Sequence, residues 1–287
     1  MELYVRDFGV DGYRLDVGGL VPNDFWVEGA KRVRKINPNA LMFNEGMVKE
    51  LTIGVGEFPV FDLNYNTDWH YSLIAVLNGE KPASHLYNSY YRVLNNLYSG
   101  EFGRCARYFD NHDTSHDWKG VRGETRWGAD GTECALVITH TIDGVPMIFN
   151  GCEVASECSA EMFASRFTPG VNGIDWQNLA LPNGKRRMEF MKKINSIRHD
   201  YKPLWAGDTH FITDETDENL HAYVRSFENE KMIIVVNVGK EREEKTFNLK
   251  IKSATCVLSK NADFTIATEG LKVNILPLGY VILKVED

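Results

Sequence analysis

Along the first two hundred residues, short apolar runs alternate with longer stretches in which an apolar side chain returns every third or fourth position. That alternation is the signature of βα units. Asn23 reads as an N-cap, after which Trp26, Ala30, Val33 and Ile36 share one helical face until Asn37-Pro38-Asn39 stops the helix. Residues 40–44 then read as a strand. Pro82 opens a second helical stretch through Leu86, Tyr90, Val93 and Leu97, closed by Ser99-Gly100, and 104–110 reads as the next strand. The beat returns with a helix over 131–142 and a strand over 147–150. A basic helix over 184–199, striped by Met188, Met191, Ile194 and Ile197, closes this region.

Beyond it the period drops to two. Residues 220–227, 232–238, 245–251, 255–259 and 271–285 are rich in β-branched and aromatic side chains and are bounded by turn residues. They predict a small antiparallel β domain of about eighty residues, near the lower size for an independent core. The boundary falls near Gly207, giving segments 1–206 and 207–287.

Composition narrows the function. With 43% hydrophobic and 25% charged residues the chain has enough apolar side chains for a sizeable core. No apolar run is long enough to span a bilayer, no basic-then-apolar leader opens the chain, and no membrane role is expected. A net charge of −8 without a Lys/Arg cluster argues against nucleic acid and suits a neutral substrate. The five cysteines form no CxxC pair and lie near no histidine at zinc-ligand spacing, so they read as reduced structural thiols. Neither a Gly-rich phosphate loop nor a His-Glu-x-x-His pair occurs, and no cofactor is implied.

Three acids sit at or just after the ends of expected strands: Asp16 in Gly12-Tyr13-Arg14-Leu15-Asp16, Glu45 in Asn44-Glu45-Gly46, and Asp113 in Phe109-Asp110-Asn111-His112-Asp113. In a parallel βα barrel the C-terminal strand ends converge on one face, so such residues meet in one pocket. Taken singly, each could equally be a turn or capping acid.

Taken together, the three segments resemble the second, third and fourth signature segments of the α-amylase family, glycoside hydrolase family 13, in the family's order. Two further stretches are similar to that family: 144–153, like its last barrel strand, and Ile174-Asp175-Trp176 ahead of the basic helix. The resemblance implies an α/β fold, a partial (β/α)8 TIM barrel of about the last five strands, followed by a small antiparallel β-sandwich domain. It implies a retaining glycosidase acting on α-linked glucans or maltooligosaccharides, with Asp16 as nucleophile, Glu45 as general acid/base and Asp113 as the third carboxylate. His112 is similar to the family's sugar-hydroxyl binder, the alternative being a buried, hydrogen-bonded histidine. Arg14, two residues before Asp16 on the same strand face, is expected to keep Asp16 ionised. Glu45, with no cation near it in sequence and with Asp113 as a like charge, is expected to be the protonated partner. Calcium is common among relatives, but no ligands can be assigned to it here. Trp69, Trp118, Trp127 and Trp176 are candidates for stacking on sugar rings, or for plain packing.

Two departures matter. The family's first signature segment would lie well ahead of Asp16, whereas only fifteen residues precede it. A barrel needs eight strands, and about five are legible, so three are expected to be missing. The resulting open edges predict a missing N-terminal barrel half, supplied by a partner, or self-association. After Asp113 comes Thr114-Ser115-His116-Asp117, where many relatives place an arginine. A catalytically inert fragment and a non-enzymatic partner subunit are the alternative readings.

Overall fold

The computed structural model describes residues 1–54, 56–93, 104–115, 121–159 and 173–286. Helix α1 (Glu2–Asp7) leads into strand β1 (Gly12–Leu15), helix α2 (Asn23–Ile36) into β2 (Leu41–Asn44), followed by β3 (Leu63–Tyr65). Helices α3 (Thr67–Leu77) and α4 (Ser84–Val93) precede β4 (Cys105–Arg107), and α5 (Gly123–Thr141) precedes β5 (Val145–Pro146). These five strands form one parallel sheet in chain order, β1-β2-β3-β4-β5, the succession of consecutive βα units.

Several boundaries differ from expectation for identifiable reasons. Asn23 is the first residue of α2 rather than its cap: Pro22 occupies that position, and no side chain caps the helix. Trp26, Ala30 and Val33 are buried as expected, while Ile36 is partly exposed at the frayed end. The described part of the second helix is Ser84–Val93, and Leu97 with Ser99-Gly100 lies outside the described residues. Strand β5 ends at Pro146 instead of running over 147–150. The Met147 amide still donates to the Arg107 carbonyl of β4 at 2.8 Å, but beyond it the Asn150 carbonyl accepts from the Arg122 guanidinium at 2.7 Å instead of from a strand. Helix α5 begins eight residues earlier than expected, because Gly128 (φ +67°, ψ −175°) joins two helical pieces across a kink.

The basic helix α6 (Pro182–Asp200) buries Met191, Ile194 and Ile197, with Met188 only half-buried, and Arg187 is also drawn inside, paired to Glu124 at 2.8 Å. The short helix α7 (Pro203–Ala206) leads to strands β6 (Asp208–Phe211), β7 (Leu220–Phe227), β8 (Glu230–Asn237), β9 (Glu243–Phe247), β10 (Ser253–Ala267) and β11 (Gly270–Glu286). They make a single six-stranded antiparallel sheet in the order β10-β11-β8-β7-β6, with β9 also on β11. Strand β11 pairs with β9 through 271–275 and with β8 through 280–285, while 276–279 bulge out opposite Asn261. Pro277 in that bulge has no amide to donate, and the sheet curls there. Alternation sorts the side chains: Met232, Ile234 and Val236 join a core shared with α3, α5 and α6, while Ile233 and Val235 face a second core inside the curl.

Candidate active site

Asp16 follows β1 directly and Glu45 follows β2, so the parallel pairing of these strands, with Leu15 opposite Asn44, brings the two acids side by side. Arg14 joins them. Its guanidinium holds Asp16 with one terminal nitrogen and the Glu45 carboxylate with the other, the latter at 2.9 Å. Burial works against the Arg14 charge, but hydrogen bonds with Tyr65 and Asp16 and the nearby Glu45 outweigh it and hold the group above its ordinary pKa. The second Glu45 oxygen accepts the Val17 amide at 2.8 Å. The expectation that Glu45 lacks a cation is therefore corrected: its cation is Arg14, reached across the sheet rather than along the chain.

The turn after Asp16 is tightly constructed. Val17 sits at φ +42°, ψ +42°, a left-handed conformation that is costly for a β-branched residue. The Gly18 carbonyl accepts the Trp26 indole N–H at 2.8 Å, tying the turn to α2. Gly18 has no room for a side chain, since a Cβ there would lie 2.1 Å from Asn44 Oδ1. Beneath Glu45, buried Asn44 donates to the Gly46 carbonyl and to Asn64 Oδ1, and Asn64 donates to Thr52 Oγ1. This polar ladder fixes the loop that presents the acid.

Asp113 stands beyond β4 in a turn organised by Asn111, whose side-chain oxygen accepts from the Asp113 and Thr114 amides and the Thr114 hydroxyl. Ser115 closes the turn with a hydrogen bond to buried Asp110. Burial pushes the Asp110 carboxyl up to about 6 against the opposing pull of Ser115 and Arg122. His112 is a half-exposed neighbour of Asp113, 3.3 Å from its carboxylate, so the buried-histidine alternative is not what the fold adopts. Asp113 contacts His112 and Asn111 rather than Arg14. Between Arg14 and the Asp113 turn lies an aromatic bridge that the sequence reading did not single out. Arg14 lies over the Tyr65 ring at 5.5 Å and Tyr65 meets Tyr108 at 5.2 Å, whose hydroxyl burial holds above its ordinary pKa. With only three residues, β3 carries no period that could have pointed to it.

The tryptophan candidates divide. Trp69 is fully buried in α3 beneath the Arg107 guanidinium and is core. Trp127 packs on Phe109 and donates its indole N–H to Asn78 Oδ1 at 2.8 Å, partners that account for it as packing. Trp176 is half-exposed, and Trp118 lies outside the described residues. No three His, Cys, Asp or Glu side chains among the described residues form a metal cluster. The acids stand on an open face: the Asp16 side chain is 75% exposed and that of Asp113 43%, against 22% for Glu45.

No family model matches the chain. It is 23% identical over 299 residues to a cyclomaltodextrinase of Geobacillus thermopakistaniensis, covering 99% of this chain and 46% of that protein. It is 25% identical over 237 residues to neopullulanase 2 of Thermoactinomyces vulgaris, covering 82% of this chain and 38% of the other. An α-amylase of Haloarcula japonica is 22% identical over 240 residues, with 81% and 32% covered. The chain is a relative of the α-amylase family. It spans less than half the length of these α-amylase-family relatives. A solved cyclomaltodextrinase structure superposes with a TM-score of 0.81 at 20% identity, covering 99% of this chain and 47% of that one. That likeness concerns the fold, in which the five parallel strands and the curled sheet correspond to part of a barrel and its following β domain.

Proposed function

We propose that the chain carries the acid-bearing part of a retaining glycosidase acting on α-linked glucans or maltooligosaccharides, the substrate class suggested by its relatives. The observation that carries this reading is the single guanidinium of Arg14 shared by Asp16 and Glu45 at the ends of adjacent parallel strands. Retention needs a nucleophilic carboxylate and a proton donor on a short separation, about 5–5.5 Å, which a shared cation favours. In the first step Asp16 attacks the anomeric carbon while Glu45 gives its proton to the departing glycosidic oxygen. In the second, Glu45 takes a proton from water as the water attacks the same carbon and Asp16 leaves. Asp113 and His112 hold ring hydroxyls. The segment 1–206 is the catalytic part in this reading, and 207–287 its accompanying β domain.

The exposure of the Asp16 side chain favours the inert reading for the isolated chain, because water reaches that carboxylate freely. Both readings meet one test. An activated 5-fluoro glucosyl fluoride should leave a covalent sugar on the Asp16 peptide, seen by mass spectrometry, even where turnover of maltooligosaccharides is slow. Labelling of a different residue, or none with the chain shown by light scattering to be folded and monodisperse, would overturn the nucleophile assignment. Ordinary amylase turnover by a monodisperse monomer would instead show that the open face suffices.

A further inference from the structure

The curled antiparallel sheet is open at one end, and the opening is a cavity of ≈ 1010 Å³ distinct from the acid-bearing face. Its walls follow from strand register. His210 on β6 lies opposite Val224 on β7, which lies opposite Ile233 on β8, and the next row on this face is Ser226, Lys231 and Val285. The loop after β9 crosses the mouth and adds Leu249 and Ile251. Val224, Leu249 and Ile251 are only half-buried although they pack on the inner core, so the cavity has apolar walls that the chain itself does not cover.

Lys250 and Lys252 stand exposed on its rim, and no carboxylate is among its described lining residues, on a chain whose net charge is −8. An apolar interior with a cationic mouth is complementary to a molecule with an alkyl tail and an anionic head. Lysine ammonium groups are point charges, and the rim has no arginine fork of the kind that grips phosphate through two parallel hydrogen bonds. We propose that this cavity is a binding site for a free medium- or long-chain alkyl carboxylate, with the tail against Val224, Ile233 and Ile251 and the head at Lys250 and Lys252. It is independent of the glycosidase reading, and neither stands or falls with the other.

Calorimetric titration of the full chain, below micellar concentrations, tests this with octanoate, decanoate, decanol and decyl phosphate. Decanoate should bind saturably with one site per chain, about fifteenfold tighter than octanoate, since each buried methylene contributes about a factor of four. Decanol should bind at least tenfold more weakly than decanoate. Lys250→Glu with Lys252→Glu, both at exposed positions, should weaken decanoate at least tenfold and leave decanol within twofold. Val224→Phe, which fills the cavity, should weaken both. Absence of saturable binding, equal binding of decanoate and decanol unaffected by the charge reversals, or a tenfold preference for decyl phosphate would each overturn the proposal.

Discussion

Arg14 can serve both acids because its fork presents two nitrogens at once, and a lysine there would be a point charge able to satisfy one carboxylate at a time. Glu45→Gln removes the proton donor and keeps one oxygen for the Val17 amide or for Arg14, at the loss of the other hydrogen bond. This variant should still be labelled by the activated fluoride, whose leaving group needs little protonation, while losing about 10²–10⁴-fold on maltooligosaccharides. Equal losses in the two rate measurements would remove Glu45 from the acid role. The three acids could be singled out as candidates in the sequence because each is embedded in a short motif at or just after an expected strand end. The cation shared by Asp16 and Glu45 was not legible, because Arg14 and Glu45 are neighbours only through strand pairing. For the same reason the sequence offered no hint that Tyr65 and Tyr108 would bridge the site.

Helix α5 shows what periodicity conceals at the scale of an element. Its second half, from Gly131 on, is buried almost throughout and carries a readable apolar pattern. Its first half is joined through Gly128 at φ +67°, ψ −175°, backbone that is essentially restricted to glycine, and the apolar rhythm breaks there. Gly128→Ala should cost about 1–3 kcal/mol in urea unfolding, with no clash to blame, since nothing lies within 4 Å of the added Cβ. A neutral result would mean the kink is not held in solution. Strands of the antiparallel sheet were more legible than those of the parallel one. β7 and β8 alternate between two cores over eight residues each, whereas β3, β4 and β5 are only two or three residues long and carry no period. β6 escaped notice because His210 and Phe211 end a four-residue strand whose pattern is half-exposed.

At the scale of the whole molecule, three histidines are buried among the described residues, and they shape its response to acid. Burial lowers His70 and His140 to about 4 and His221 to about 3, the last with no hydrogen-bond partner on either ring nitrogen. Each has a folded pKa below its unfolded value of about 6.5, so the unfolded chain takes up protons first, and stability present above pH 6.5 is lost as the pH falls toward 4. Asp110 acts in the opposite sense. Its pKa is raised to about 6, so over the same window its contribution improves as the pH falls. Glu124, also raised by burial, acts with Asp110, while Asp130, held low by its hydrogen bonds with Lys260 and Arg186, acts with the histidines, and the urea midpoint should drop between pH 7 and pH 4.5, with His221→Leu reducing the slope. An unchanged midpoint would show that the histidines are solvated in the native state. The composition revealed none of this, since burial of a histidine depends on which face the fold turns inward.

The core shared by the helices and the antiparallel sheet has a further consequence. Trp69, Leu73 and Ile138 from one side of Gly207 pack in one cluster with Ile234, Val236 and Ile282 from the other. Asp143 reaches across to Thr209 at 3.2 Å, and Arg198 and Arg225 spend their nitrogens on carbonyls around the join. The place where the sequence changes period is therefore not a place where the structure can be divided. Residues 207–287 should not be transferable as a cassette: cut at Gly207, both pieces would expose a face of Ile, Val and Trp that only the other can cover. In native-state hydrogen exchange, the slowest amides of α5 and of β8 should open together, in one event with one free energy.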